Sequence, residues 1–114
     1  MTIDLGAMTT SDLPTPPPGS RNAPSKALFA ADGATGQIQI GTGAKHFHAD
    51  ANEIQYVVSG GGTEWLGDKQ IALHPGMLII IPAGTHHAGY TDPQLKLYAI
   101  KTPPQASTDT HYVP

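Results

Sequence analysis

The sequence predicts an all-β protein, an antiparallel barrel or sandwich of short strands. Three observations point there. Thirteen Gly and eleven Pro in 114 residues break the chain every few positions, which favours tight turns over helices. Between the breaks lie short runs with the period-two alternation of half-buried strands, as in Gln37-Ile38-Gln39-Ile40. No stretch keeps a convincing helical period, and no internal repeat is present.

The elements follow in order. Residues 1–25 differ from the rest. Leu13-Pro14-Thr15-Pro16-Pro17-Pro18-Gly19-Ser20 excludes helix or inner strand, because proline lacks the N–H donor and fixes φ. An extended, polyproline-like arm is expected, either loose or packed along its own barrel or a partner's. Lys26 to Ala30 reads as a strand ended by Asp32-Gly33, and Gln37 to Ile40 as one broken by Gly41 and Gly43. Lys45 to His48 resumes as strand. Glu53 to Val58 is the next, stopped by Gly60-Gly61-Gly62. Thr63 to Leu66 and Gln70 to Leu73 form a hairpin around Gly67-Asp68. Pro75-Gly76 turns the chain into Met77 to Ile81, and Pro82-Ala83-Gly84 turns it into a segment starting near His86. Lys96 to Ile100 is the last strand, ended by Thr102-Pro103-Pro104. The expected organisation is an arm over 1–25, a barrel over 26–104 and a tail over 105–114.

Bulk properties narrow the function. The length suits one domain with one core. Without cysteine there are no disulfides, zinc ribbons, Fe–S clusters or thiol nucleophiles. The formal charge is -3 and the Lys and Arg residues are scattered, so no nucleic-acid partner is expected. The longest apolar run, Met77 to Ile81, is too short to span a bilayer, so no membrane partner is expected either. No basic stretch followed by an apolar segment opens the chain. The compartment is left open between the cytoplasm and export with a leader removed.

Chemistry concentrates in the histidines. His46 and His48 lie two apart on a strand, so both imidazoles share a face and Phe47 takes the other. Glu53 opens the next strand after Ala49-Asp50-Ala51-Asn52, with Gln55 and Val57 on its face. His87, after the Pro82-Ala83-Gly84 turn, offers a fourth ligand. Three neutral imidazoles and one carboxylate suit Mn, Fe, Co, Ni, Cu or Zn. A His-x-His pair alone more often marks surface or hydrogen-bonded core histidines than a metal site.

The joint pattern resembles the cupins. Their first motif, Gly-x5-His-x-His-x(3,4)-Glu-x6-Gly, is met by His46-Phe47-His48, Glu53 and Gly60. Their second, Gly-x5-Pro-x-Gly-x2-His-x3-Asn, is met by Gly76, Pro82-Ala83-Gly84 and His87. The chain departs at Ile40, where the leading glycine falls one residue late at Gly41, and at Thr91, where Asn is usual. The resemblance implies a small single-domain cupin of microbial type, an antiparallel double-stranded β-helix or jelly-roll barrel of about eight to ten strands. It implies a divalent transition metal, Mn or Fe first and Zn, Ni, Co or Cu as alternatives, held by His46, His48, Glu53 and His87. Glu53 is also the candidate catalytic base, and Gln55 a candidate for holding Glu53 or touching substrate. His86 is an alternative to His87. Tyr56 and Trp65 read as packing, His74 as a solvated turn residue, and His111 as a tail residue outside the ligand set.

A cupin of this ligand type implies an enzyme of dioxygenase, lyase or isomerase type acting on a small organic molecule. A non-catalytic metal-dependent binding or sensing module is the alternative, and a metal that only pins the strands is a third. Apolar cavity walls are expected from Val57, Ile79, Ile81 and Leu97. Small cupins often pair, so a homodimer with Pro14 to Pro24 touching the partner is expected. The run Ala99-Ile100-Lys101-Thr102-Pro103 looks like the closing strand of small cupins, some of which are exported.

Overall fold

A computed structural model describes residues 1–114. Its strands are β1 (Ser25–Ala31), β2 (Ala34–Ile40), β3 (His46–Phe47), β4 (Asn52–Ser59), β5 (Thr63–Leu66), β6 (Lys69–Ala72), β7 (Leu78–Ile81), β8 (His87–Tyr90), β9 (Lys96–Thr102) and β10 (His111–Tyr112). Helix is confined to two 3-10 turns, Leu5–Ala7 and Thr10–Asp12, and no helix is long and apolar enough to cross a membrane. The strands form two antiparallel sheets, ordered β1-β2-β9-β4-β7 and β10-β3-β8-β5-β6. From β2 onward the chain passes repeatedly from one sheet to the other, which gives the double-stranded β-helix that the motifs imply.

Glycines permit the tight connections. Gly67, at φ 64, opens the two-residue turn between β5 and β6. At Gly60, also at positive φ, an added Cβ would lie 2.8 Å from the Gln94 carbonyl oxygen. Only glycine lets these backbones approach so closely.

The main core lies between the sheets and comprises Val57, Leu73, Ile79, Ile81, Leu95 and Leu97. A second cluster lies outside the first sheet. There Leu13 covers Ile38 and Ile40, with Leu5, Met8 and Leu28 packed around them. The arm is thus seated on its own barrel. The Lys96 ammonium donates to the carbonyls of Leu5 (2.9 Å) and Gly6 (3.2 Å), and the Asp12 carboxylate accepts the Thr9 N–H at 2.8 Å. Beyond the arm, the same outer face leaves Ile54, Tyr56, Leu78 and Ile80 exposed.

The segment 105–114, set apart as a tail on sequence grounds, completes the second sheet. His111 pairs with Phe47 and Tyr112 with His46. The Asp109 carboxylate accepts the N–H groups of Ala49 (2.7 Å), Asp50 (3.1 Å) and Ala51 (3.2 Å). This anchor turns the chain away after Phe47, so β3 is shorter than the strand expected over Lys45 to His48.

Candidate metal centre

The strand register brings the four sequence-selected residues together inside the barrel. His46 on β3 is the direct cross-strand partner of His87 on β8, and His48 lies one strand period beyond His46. The ligating nitrogens of the three imidazoles lie within 4.8 Å of one another. Glu53 comes from the opposite sheet. Its Oε1 is 3.1 Å from His48 Nε2, 3.5 Å from His87 Nε2 and 3.9 Å from Lys101 Nζ. Gln55, one strand period after Glu53, donates from Nε2 to Glu53 Oε2 at 2.5 Å.

Backbone carbonyls set the tautomers. His46 Nδ1 lies 2.7 Å from the Ala44 oxygen, His48 Nδ1 2.8 Å from the Asp109 oxygen and His87 Nδ1 2.9 Å from the Thr85 oxygen. A carbonyl oxygen only accepts, so Nδ1 of His46 and His87 carries the hydrogen and each neutral ring presents a lone pair at Nε2; at His48 the shorter contact, to the Asp109 carbonyl, sets the same tautomer over the Gln105 amide nitrogen at 3.1 Å. His48 Nε2, His87 Nε2 and Glu53 Oε1 are buried and make no hydrogen bond. Lone pairs facing one another at these distances repel unless a proton or a cation lies among them. This donor set of imidazole nitrogens and a carboxylate oxygen, with its orphaned acceptors, fits a divalent transition metal.

The electrostatics agree. Burial opposes ionisation of Glu53, but the His48 and His87 imidazoles and Lys101 outweigh it and hold the carboxyl well below its usual range. Burial also lowers His87, yet contact with Glu53 raises it above the ordinary imidazole value. Burial, together with His87, lowers His46 to about 4, which keeps its lone pair free at neutral pH.

The site opens into a cavity of about 170 Å³. Its walls correct the apolar enclosure expected from Val57, Ile79, Ile81 and Leu97. Only Leu97 of those four lines it; the other three close the core. Polar groups from Gln37, Gln39, Gln55, Lys101 and Gln105 line the rest. The alternation on β2 points the glutamines inward and Ile38 and Ile40 outward beneath the arm.

The other histidines lie elsewhere. His86 and His111 stack on Phe47, each at 5.0 Å, on the opposite face from the cluster. His74 is exposed in a turn. Trp65 stacks on Tyr90 at 5.1 Å, and Tyr56 is exposed. Sequence reasoning missed Lys101, Glu64, Gln105 and Asp109. The first two had a signal: Lys101 shares a strand face with Leu97 and Ala99, and Glu64 shares one with Leu66.

A family model described as cupin domain matches residues 35–100. Similar structures include Streptomyces Pac13 with uridine, which is 20% identical with a TM-score of 0.70 over 83% of this chain and 80% of that one. Pac13 is described as a nucleoside dehydratase. KdgF from a Halomonas species is 22% identical, with a TM-score of 0.62 over 70% of this chain and 77% of its own. A double-stranded β-helix protein from Klebsiella pneumoniae is 16% identical, with a TM-score of 0.68 over 94% of this chain and 96% of its own. No curated protein matches the chain. At these identities the structural likeness carries the fold, and the family match adds the membership: the chain belongs to the cupin domain family.

Proposed function

We propose that this cupin is a metal-dependent enzyme of lyase, isomerase or dioxygenase type, with its metal held by His46, His48, Glu53 and His87. The observation that carries this reading is the set of buried acceptors at His48 Nε2, His87 Nε2 and Glu53 Oε1, which converge with no donor among them. A donor set of three imidazoles and one carboxylate supports Mn or Fe, with Zn, Ni, Co or Cu as alternatives. When bound, such a cation supplies Lewis-acid polarisation of substrate oxygens. The chain supplies the rest. The three backbone carbonyls orient the imidazoles, and Gln55 fixes the Glu53 carboxylate through Oε2. Glu53 would act as the base only by swinging off the metal, since its Oε1 is the oxygen among the imidazoles and its Oε2 is held by Gln55.

The alternative is a non-catalytic module that binds or senses a small molecule through the same metal. The two are separated by aerobic assay of the metal-loaded protein with diketones, enediols and hydroxy acids, following oxygen uptake and product. Turnover supports the enzyme, and saturable binding without turnover supports the module. A homodimer is also part of the proposal. The exposed apolar stripe of Ile54, Tyr56, Leu78 and Ile80 supports it, whereas the arm is occupied by its own barrel.

A further inference from the structure

The cavity beside the His cluster is polar where a binding pocket of this size is commonly apolar. Among its lining residues, Gln37 and Gln39 come from β2, Lys101 from β9 and Gln105 from the segment after it. Lys101 stands out. It is only 5% exposed, and it lines the cavity. The nearest acid oxygen is Glu53 Oε1 at 3.9 Å, beyond hydrogen-bond length. Asp109, the other carboxylate acting on Lys101, is already occupied by three backbone N–H groups. An ammonium held at the cavity wall with only a distant carboxylate is better stabilised when an anion in the cavity completes it. Around it Gln37 and Gln39 offer paired donors and acceptors, the combination that hydroxyl groups satisfy, whereas Gln105 Nε2 already donates to Thr110 Oγ1 at 2.7 Å.

We propose that the cavity takes a small hydroxylated organic acid, whose carboxylate is held by Lys101 Nζ and whose hydroxyls are read by the carboxamides of Gln37 and Gln39. The volume, about 170 Å³, lies well below the roughly 300–1,000 Å³ of pockets for drug-sized ligands, so the acid is short-chained. This assignment rests on reading the His cluster and its cavity as a substrate site. It makes Lys101 the residue that selects an acid over the corresponding alcohol.

The test is calorimetric binding of erythronate and of erythritol, which differ in the carboxylate, to the full chain at pH 7. Both are measured with zinc loaded and again after chelation. Wild-type protein should bind erythronate at least tenfold more tightly than erythritol in both states. Lys101→Met and Lys101→Gln should each lose most of that preference while keeping the wild-type zinc content. Equal binding of the two probes by wild-type protein overturns the proposal, whatever the variants do. So does an acid preference that survives in the variants, because the metal alone would then read the carboxylate. Loss of zinc in both variants overturns it too, by reducing Lys101 to a support for Glu53. Failure of the metal reading is a separate result: wild-type protein would take up no zinc, while the acid preference would remain measurable in chelated protein.

Discussion

Glu64 on β5 is fully buried, and neither carboxylate oxygen has a hydrogen-bond partner. Burial is the main influence on it; His87 offsets it in part and Glu53 adds to it, and the carboxyl is raised from 4.5 to about 7. Below about pH 4.5 the group is protonated in both the folded and unfolded chain and has no effect on stability. Between 4.5 and about 7 the unfolded chain releases the proton and the folded chain keeps it, so stability falls as pH rises. Above that range the penalty is constant. At about 1.4 kcal/mol per pH unit it amounts to about 3 kcal/mol. Glu64→Gln keeps the shape and removes the ionisation. Urea unfolding of chelated wild type and variant should therefore show the variant gaining on wild type by about 2.5 kcal/mol between pH 5 and pH 8. A stability difference that does not change with pH would refute the reasoning, because Glu64 would then have a partner or solvent in solution.

Three further predictions concern the supports of the site and the fold. Asp109→Ala frees the turn over Ala49 to Ala51 and the carbonyl that orients His48, and should weaken metal affinity roughly 10–100-fold by titration. Leu13→Ala uncovers Ile38 and Ile40 and should lower unfolding stability by about 2 kcal/mol, with an unchanged elution volume because the arm serves its own barrel. Thr91 holds φ 80, where a β-branched residue is strained, and the family's usual Asn tolerates that conformation. Thr91→Asn should therefore raise stability by about 0.5–1 kcal/mol in the same assay.

Most strands were legible because turn residues and alternation are local signals. The Gly67-Asp68 hairpin and the turns at Pro75-Gly76 and Pro82-Ala83-Gly84 follow from backbone restrictions alone. Alternation gives a strand's period but not which side meets the cavity. On β2 the polar side faces the cavity and the apolar side is buried beneath the arm, an arrangement that only tertiary packing decides. β10 was invisible for the same reason: His111 and Tyr112 are strand only because β3 lies beside them. The His46, His48, Glu53 and His87 set could be selected because motif spacing carries it. Lys101, Gln105 and Asp109 reach the site from a strand and a segment whose sequence has no such spacing.

The central claim is that the buried acceptors hold a metal ion. The most direct measurement is the metal content of protein purified without added metal or chelator, determined by elemental analysis for wild type and for His46→Ala/His48→Ala, His87→Ala and His86→Ala. Wild type and His86→Ala should carry close to one transition-metal ion per chain, His87→Ala should hold it more weakly, and the double variant should hold none. Full metal content in the double variant, or loss in His86→Ala with retention in His87→Ala, would contradict the assignment.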